Sequence, residues 1–185
     1  MTPHPPAQDP LRCAPRGAGP RLLPQGEKGL EIEGYASRWG RADLNGDVVA
    51  KGAFAESLAR GGSIRMLHQH EARAPIGVWD AVIEDDAGLF VRGRILDGSA
   101  EARFAQALAR AGALDGLSIG FRTVRARREG ALRVLVEVEL WEVSLVTFPM
   151  LPDARVGAKG ETPETALLRD LAAAFTEARQ RLAEF

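Results

Sequence analysis

Apolar residues alternate with polar or small residues along much of the chain after residue 29, and this period of two constrains the fold more than any other feature. The longest alternating stretch, RVLVEVELWEVSLVTF, occupies residues 133–148. Successive side chains of a strand point to opposite faces, so the alternation predicts strands with one buried face. Turn-forming residues at 45–46, 85–88 and 129–130 separate such stretches. Short turns of this kind favour antiparallel pairing of neighbouring strands.

Two segments have helical rather than alternating patterns. Residues 53–60 predict a short helix, and residues 99–112 predict a longer one. Ser99 can cap the longer helix, Glu101 suits its first turn, and Gly112 can end it. Strands outnumber helices and connections are short. We therefore predict an α+β fold, with a predominantly antiparallel, closed or nearly closed β-barrel and surrounding helices.

The chain divides into one domain and two terminal segments. Residues 1–28 are rich in Pro, Gly and Arg and are predicted to be a disordered tail, residues 29–156 form the domain, and residues 157–185 form a linker and a C-terminal amphipathic helix. The apolar residues of that helix follow steps of three and four: Leu168, Leu171, Phe175, Ala178, Leu182 and Phe185. This seam either packs on its own barrel or docks helical scaffold or another copy of the chain.

Charge and cysteine content narrow the classes of partner and compartment. The formal net charge is −1, so neither nucleic acid nor an anionic membrane is expected as the main partner. Cys13 is the single cysteine, which rules out an internal disulfide and a zinc-finger site. The N-terminal residues lack the apolar core of a signal peptide, and no apolar run is long enough to span a bilayer. We expect a soluble, intracellular protein.

Ser118 is a candidate nucleophile in the segment GLSIGF. Strand alternation places Leu117 and Ile119 on one face, and Ser118 on the other with Gly116 and Gly120. Glycines beside a strand serine can leave clearance for an approaching peptide backbone. They can also serve only the curvature of a barrel wall, with Ser118 as a small residue between them.

Glu142 and His70 are the candidate partners of this serine. A serine hydroxyl becomes a nucleophile when a neutral imidazole takes its proton and a carboxylate orients that imidazole. The alternation of residues 134–140 extends the apolar face onto Glu142 and Ser144. A carboxylate on a buried face needs a partner, and His70 can provide it. A bulge near Trp141 would reverse this assignment of faces.

A metal site is the rival interpretation of the histidines. Alternation places His68 and His70 on one face of a strand together with Met66, so the two imidazoles could bind a metal with Glu71 or Glu142 as a further ligand. Periodicity alone does not decide which histidine would serve the serine. We favour the hydrolase and expect no metal or organic cofactor.

Four segments together resemble a known family. They are GYASRWGRADLNGDVVAKGAFAESL (34–58), MLHQHEARAPIGVW (66–79), AGALDGLSIGFRTV (111–124) and LWEVSLVTFPMLPDARV (140–156). In this order they are similar to the prohead proteases of tailed phages of the HK97 type, which resemble herpesvirus assembly proteases more distantly. The resemblance implies a β-barrel with surrounding helices.

The resemblance also implies an activity, partners and site residues. His70, Ser118 and Glu142 match the family's catalytic triad, although the herpesvirus relatives have a second histidine as third member. The implied activity is that of a serine endopeptidase that removes the scaffolding segment of the major capsid protein, and also cleaves itself, inside the immature capsid in the bacterial cytoplasm. Self-association is compatible with this role. The particle would be a phage or a gene transfer agent. The alternative is a non-enzymatic capsid-assembly or scaffolding component that retains the fold.

Overall fold

The computed structural model describes residues 29–158, which form eight strands and two short helices. The strands are Leu30–Arg38 (β1), Asp47–Val49 (β2), Arg65–His68 (β3), Pro75–Glu84 (β4), Gly88–Ile95 (β5), Gly116–Glu129 (β6), Leu132–Val146 (β7) and Val156–Ala158 (β8). The helices are Ala55–Ala59 (α1) and Ala100–Arg110 (α2). The predicted N-terminal tail and C-terminal helix lie outside the described residues.

All eight strands belong to one mixed sheet. Its order is β2-β7-β3-β4-β5-β1-β8, and β6 pairs with the other edge of β7. The pairs β1–β5, β1–β8, β3–β4, β4–β5 and β6–β7 are antiparallel. β2 and β3 instead run parallel to β7. The predicted sheet-dominated architecture is confirmed. The predicted antiparallel pairing holds for most strand pairs but not for β2 and β3, because long connections rather than short turns link these strands to β7.

The sheet curls until β6 meets the segment that leads into β8. Leu117 N donates to Ala154 O over 2.8 Å, and Val156 N donates to Asp115 O over the same distance. Residues 157–158 then pair with β1, so the sheet extends two residues past the predicted domain boundary. This contact fixes the start of β6, where Ser118 lies.

The core fills the inside of the curled sheet and is closed at one side by α2. Its largest fully buried side chains are Phe54, Met66, Ile76, Leu89, Val91, Ile95, Leu114, Leu117, Leu135, Val138, Val143 and Leu145. α2 begins as predicted, since Ser99 Oγ accepts a hydrogen bond from Ala102 N over 3.0 Å. It ends before Gly112, whose φ of 71° is easy only for glycine. Among the described helices, none is long and apolar enough to cross a membrane.

Candidate active site

Ser118 lies near the start of β6 on the face turned away from the core. Its neighbours Leu117 and Ile119 both contact the core cluster, as the alternation predicts. Ser144 of β7 is its partner in the ladder, and residues paired across antiparallel strands project to the same face. Ser118 and Ser144 are therefore neighbours on one surface of the sheet.

β7 contains a bulge at Trp141, beside the candidate carboxylate. Gly120 pairs with Glu142, whereas the next residue of β6 pairs with Leu140, so the pairing skips Trp141. Leu140 contacts the core before the bulge and Val143 contacts it afterwards. The extra residue reverses the alternation, and Glu142 points away from the core. The prediction that Glu142 extends the apolar face of the strand is therefore wrong.

The space beside the glycines that flank Ser118 is filled by the protein itself. A Cβ atom on Gly120 would lie 2.1 Å from Glu142 Oε1, and a Cβ atom on Gly116 would lie 2.8 Å from Pro149 Cδ. Both distances are far shorter than a van der Waals contact. Of the two interpretations of these glycines, clearance for a substrate backbone does not fit this packing, because Gly120 instead admits the Glu142 carboxylate.

His70 lies in a tight turn immediately after β3. Gln69 and His70 both have positive φ, 53° and 61°, which is uncommon for residues other than glycine. The turn is anchored by hydrogen bonds from Gln69 N to Leu145 O and from Glu71 N to His68 O, each 2.9 Å. This left-handed turn ends the alternation of β3. The prediction that His70 shares a face with His68 is therefore wrong.

The turn brings His70 into contact with Glu142. His70 Nδ1 lies 2.6 Å from Glu142 Oε1. An ionised carboxylate only accepts hydrogen bonds, so Nδ1 carries the proton of the neutral imidazole and Nε2 keeps its lone pair. The hydrogen bond to Glu142 raises the pKa of His70, although partial burial of the ring opposes the rise. The predicted partnership of these two residues agrees with this geometry, although both reach it on the other face of the sheet.

Ser144 completes this network, and the sequence analysis assigned it no role. Its Oγ donates to Glu142 Oε2 over 2.5 Å and accepts from His70 N over 3.2 Å. The spacing of Glu142 and Ser144, two positions apart on a strand, was the available signal, because it places them on one face. The hydroxyl links the carboxylate to the backbone of the histidine.

Ser118 is adjacent to this network without being bonded to it. Within residues 29–158, His70 makes its hydrogen bonds to Glu142 and Ser144, and none joins its ring to Ser118 Oγ. Ser118 nevertheless shares its face with Glu142 and Ser144. Contacts between a nucleophile and its base are often longer before substrate binds and shorten in the complex.

His68 has a separate environment on the core side of the sheet. Its Nδ1 is hydrogen-bonded to Glu101 of α2, and its ring meets Phe104 edge-on with centroids 6.2 Å apart. Because His68 and His70 diverge to opposite faces, they cannot jointly bind one ion. No cluster of three or more metal-ligating side chains occurs in the described part of the chain.

The chain resembles known proteases in sequence. The profile of the family described as caudovirus prohead serine protease matches residues 22–167. The prohead protease of Enterobacteria phage HK97 is 31% identical over 153 residues, which cover 79% of this chain and 67% of that protein. The matched region contains His70, Ser118 and Glu142.

Two solved structures have a similar fold. The protease of Kaposi's sarcoma-associated herpesvirus, solved with a hexapeptide phosphonate inhibitor, has a TM-score of 0.52 at 14% identity, covering 79% of this chain and 77% of the viral chain. The capsid assembly protease of bacteriophage T4 has a TM-score of 0.55 at 16% identity, covering 65% of this chain and 84% of the phage chain. The likeness to a herpesvirus protease fold is thereby confirmed.

Proposed function

Since this chain belongs to the caudovirus prohead serine protease family, we propose that it is a capsid-maturation endopeptidase in which Ser118, His70 and Glu142 form the catalytic triad. Ser118 is the nucleophile, His70 is the general base, and Glu142 orients the imidazole. Ser118 and Glu142 project from the same face of the curled sheet, and the turn after β3 brings His70 to Glu142 on that face.

The hydrogen bond of 2.6 Å between His70 Nδ1 and Glu142 Oε1 is the observation that carries this proposal. It fixes the imidazole in the tautomer whose Nε2 can accept a proton. The carboxylate beside it stabilises the imidazolium that forms during the reaction, which is the same effect that raises the pKa of His70.

The reaction is acyl transfer. His70 Nε2 takes the proton of Ser118 Oγ as that oxygen attacks the scissile carbonyl carbon, and the imidazolium then gives the proton to the departing amine. Water attacks the resulting acyl-enzyme with His70 again as base, releasing the acid and restoring Ser118. Backbone N–H groups near Ser118 would stabilise the oxyanion of each tetrahedral intermediate.

The substrate is a capsid protein inside an immature shell. We infer that the enzyme removes the scaffolding segment of the major capsid protein and cleaves itself, within the procapsid in the host cytoplasm. The family membership supports this assignment. A non-enzymatic assembly component would not need an imidazole held by a buried carboxylate, so the site geometry favours the enzyme.

Replacing the nucleophile tests the proposal. The chain is co-expressed with its cognate capsid protein, and intact masses of both are measured. Ser118→Ala should reduce cleavage of both proteins by several orders of magnitude, because the base and carboxylate alone cannot form the acyl-enzyme.

The matched control is Ser37→Ala, which removes the hydroxyl of another buried serine, on β1. This variant should cleave at the wild-type rate. Processing by Ser118→Ala at the rate of the control would show that Ser118 is not the nucleophile, and an inactive wild type would favour the non-enzymatic role.

A further inference from the structure

We propose that Ser144 is a positioning residue of this active site, which locks the Glu142 carboxylate to the backbone of His70 so that the imidazole keeps its orientation toward Ser118. This inference rests on the proposed function and adds a fourth side chain to the three assigned above. It follows from the hydrogen bonds of one fully buried hydroxyl.

The direction of each hydrogen bond is fixed by chemistry. The Glu142 carboxylate can only accept, so the hydroxyl proton of Ser144 points to Oε2 at 2.5 Å. The backbone N–H of His70 can only donate, and it points to a lone pair of the same oxygen at 3.2 Å. The hydroxyl is therefore a bridge in which both partners are satisfied at once.

The bridge stabilises two arrangements that would otherwise be costly. Glu142 is buried, and each oxygen of a buried carboxylate needs a donor. His70 adopts a left-handed backbone conformation, which persists only when surrounding contacts enforce it. Ser144 provides the second donor to the carboxylate and an acceptor within the strained turn.

Ser144 is not an alternative nucleophile. It is 0% exposed and its hydroxyl proton is committed to Glu142. A substrate carbonyl therefore has no path to its Oγ. Ser144 acts on the reaction only through the two residues that it holds.

The test is the variant Ser144→Ala in the full-length protein. We expect kcat to fall about 10- to 100-fold, the range for losing a hydrogen bond to a charged group, with KM unchanged within about twofold. The matched control is Ser57→Ala, because Ser57 Oγ also bonds β7, accepting from Leu140 N over 2.9 Å at a point outside the site. The control should keep its kcat.

A double-mutant cycle separates positioning from a structural role. If Ser144 acts through Glu142, then Ser144→Ala combined with Glu142→Gln should be no slower than Glu142→Gln alone. A structural role would instead make the two losses multiply and would lower the thermal unfolding midpoint in step with kcat. Ser144→Cys keeps the space filled but offers only a weak donor, so it should show the same loss if the alanine variant does not fold.

A spectroscopic measurement decides the matter independently of turnover. The proton on His70 Nδ1 should give a low-field NMR resonance in the wild type, which weakens or disappears in Ser144→Ala and persists in Ser57→Ala. Persistence of this resonance together with a full kcat in Ser144→Ala would overturn the inference. An inactive wild type would refute the proposed function, and the resonance alone would then decide whether Ser144 positions His70.

Discussion

Glu142 uses its two carboxylate oxygens for different partners. Oε1 accepts from the imidazole of His70, and Oε2 accepts from the hydroxyl of Ser144. Burying an ionised carboxylate is tolerable only when such donors replace water. The hydrogen bond to Glu142, together with the negative charge of this carboxylate, favours the protonated form of His70 and so raises its pKa. The residue thus influences both the orientation and the basicity of the proposed base.

Glu142→Gln should therefore change both the rate and its dependence on pH. His70 works as a base only when neutral, so the wild type should lose kcat/KM as the pH falls through the raised pKa of His70. The amide can make only a neutral hydrogen bond to the ring and carries no charge, so it raises this pKa less and the acid limb of the variant should move to lower pH. Its rate on the plateau should fall roughly 10²- to 10⁴-fold, because an amide cannot stabilise the imidazolium.

The measurement is a profile of kcat/KM against pH for a capsid-derived peptide. Glu137→Gln is the matched control, since it makes the same change on the same strand at a residue paired with Arg125 outside the site. The control should reproduce the wild-type profile. If the acid limb of the Glu142→Gln profile coincides with that of the wild type, Glu142 does not raise the pKa of His70, and its assigned role is wrong.

At the scale of the elements, two local irregularities of the backbone assemble the site: a bulge of one residue and a turn of two residues. Alternation from the sequence predicts the strands well, but it places Glu142 on the apolar face of its strand and His70 on the same face as His68. The bulge at Trp141 reverses Glu142, and the left-handed turn at Gln69 and His70 reverses the histidine. Both reversals bring the partners to the face of Ser118.

Such irregularities could not be predicted from the pattern of the residues alone. Neither turn residue is a glycine, the usual signal for positive φ. The bulge depends on which β6 residue pairs with Leu140, which is a matter of register between strands. The candidate residues were identified from their chemistry and from the resemblance to a family. The relative positions of their side chains depend on the bulge and the turn, which only the structure shows.

Gly120→Ala tests the fit between β6 and the carboxylate. The added Cβ would lie 2.1 Å from Glu142 Oε1, so the carboxylate must leave its position beside His70. Displacements of about 1 Å in an active site cost about 10²-fold in rate, and we expect a loss of this size in kcat. Steady-state turnover of the peptide measures it.

Gly62→Ala is the control, because a Cβ atom there meets nothing within 4 Å and Gly62 does not need a positive φ. It should leave kcat unchanged. Equal rates for the two alanine variants would mean that the carboxylate can move without consequence, which would contradict the assignment of Glu142.

At the scale of the whole molecule, the described residues contain the complete proposed site. Its side chains come from β6, β7 and the turn after β3, and the contact between β6 and the approach to β8 holds the curled sheet together. The predicted helical segment after residue 161 contributes none of these groups. Its two alternative roles, packing and docking, therefore make different predictions for a shortened chain.

Ending the chain after Glu161 should leave cleavage of a small peptide within about twofold of the full-length rate, since the catalytic groups are retained. If the seam docks scaffold, the number of protease copies per assembled particle should fall. Both quantities are measured on the same truncated protein. Loss of folding upon truncation would instead assign the seam of Leu168, Leu171, Phe175 and Leu182 to the domain core.

The position of β7 in the chain also sets when activity can first arise. His70 and Glu142 are 72 positions apart, and Ser118 lies between them. As the ribosome adds residues from the N-terminus, the base and the nucleophile emerge before Glu142 and Ser144, which hold the base. A nascent chain that ends before β7 lacks the carboxylate and its bridge. The proposed site can therefore assemble only after β7 has been translated.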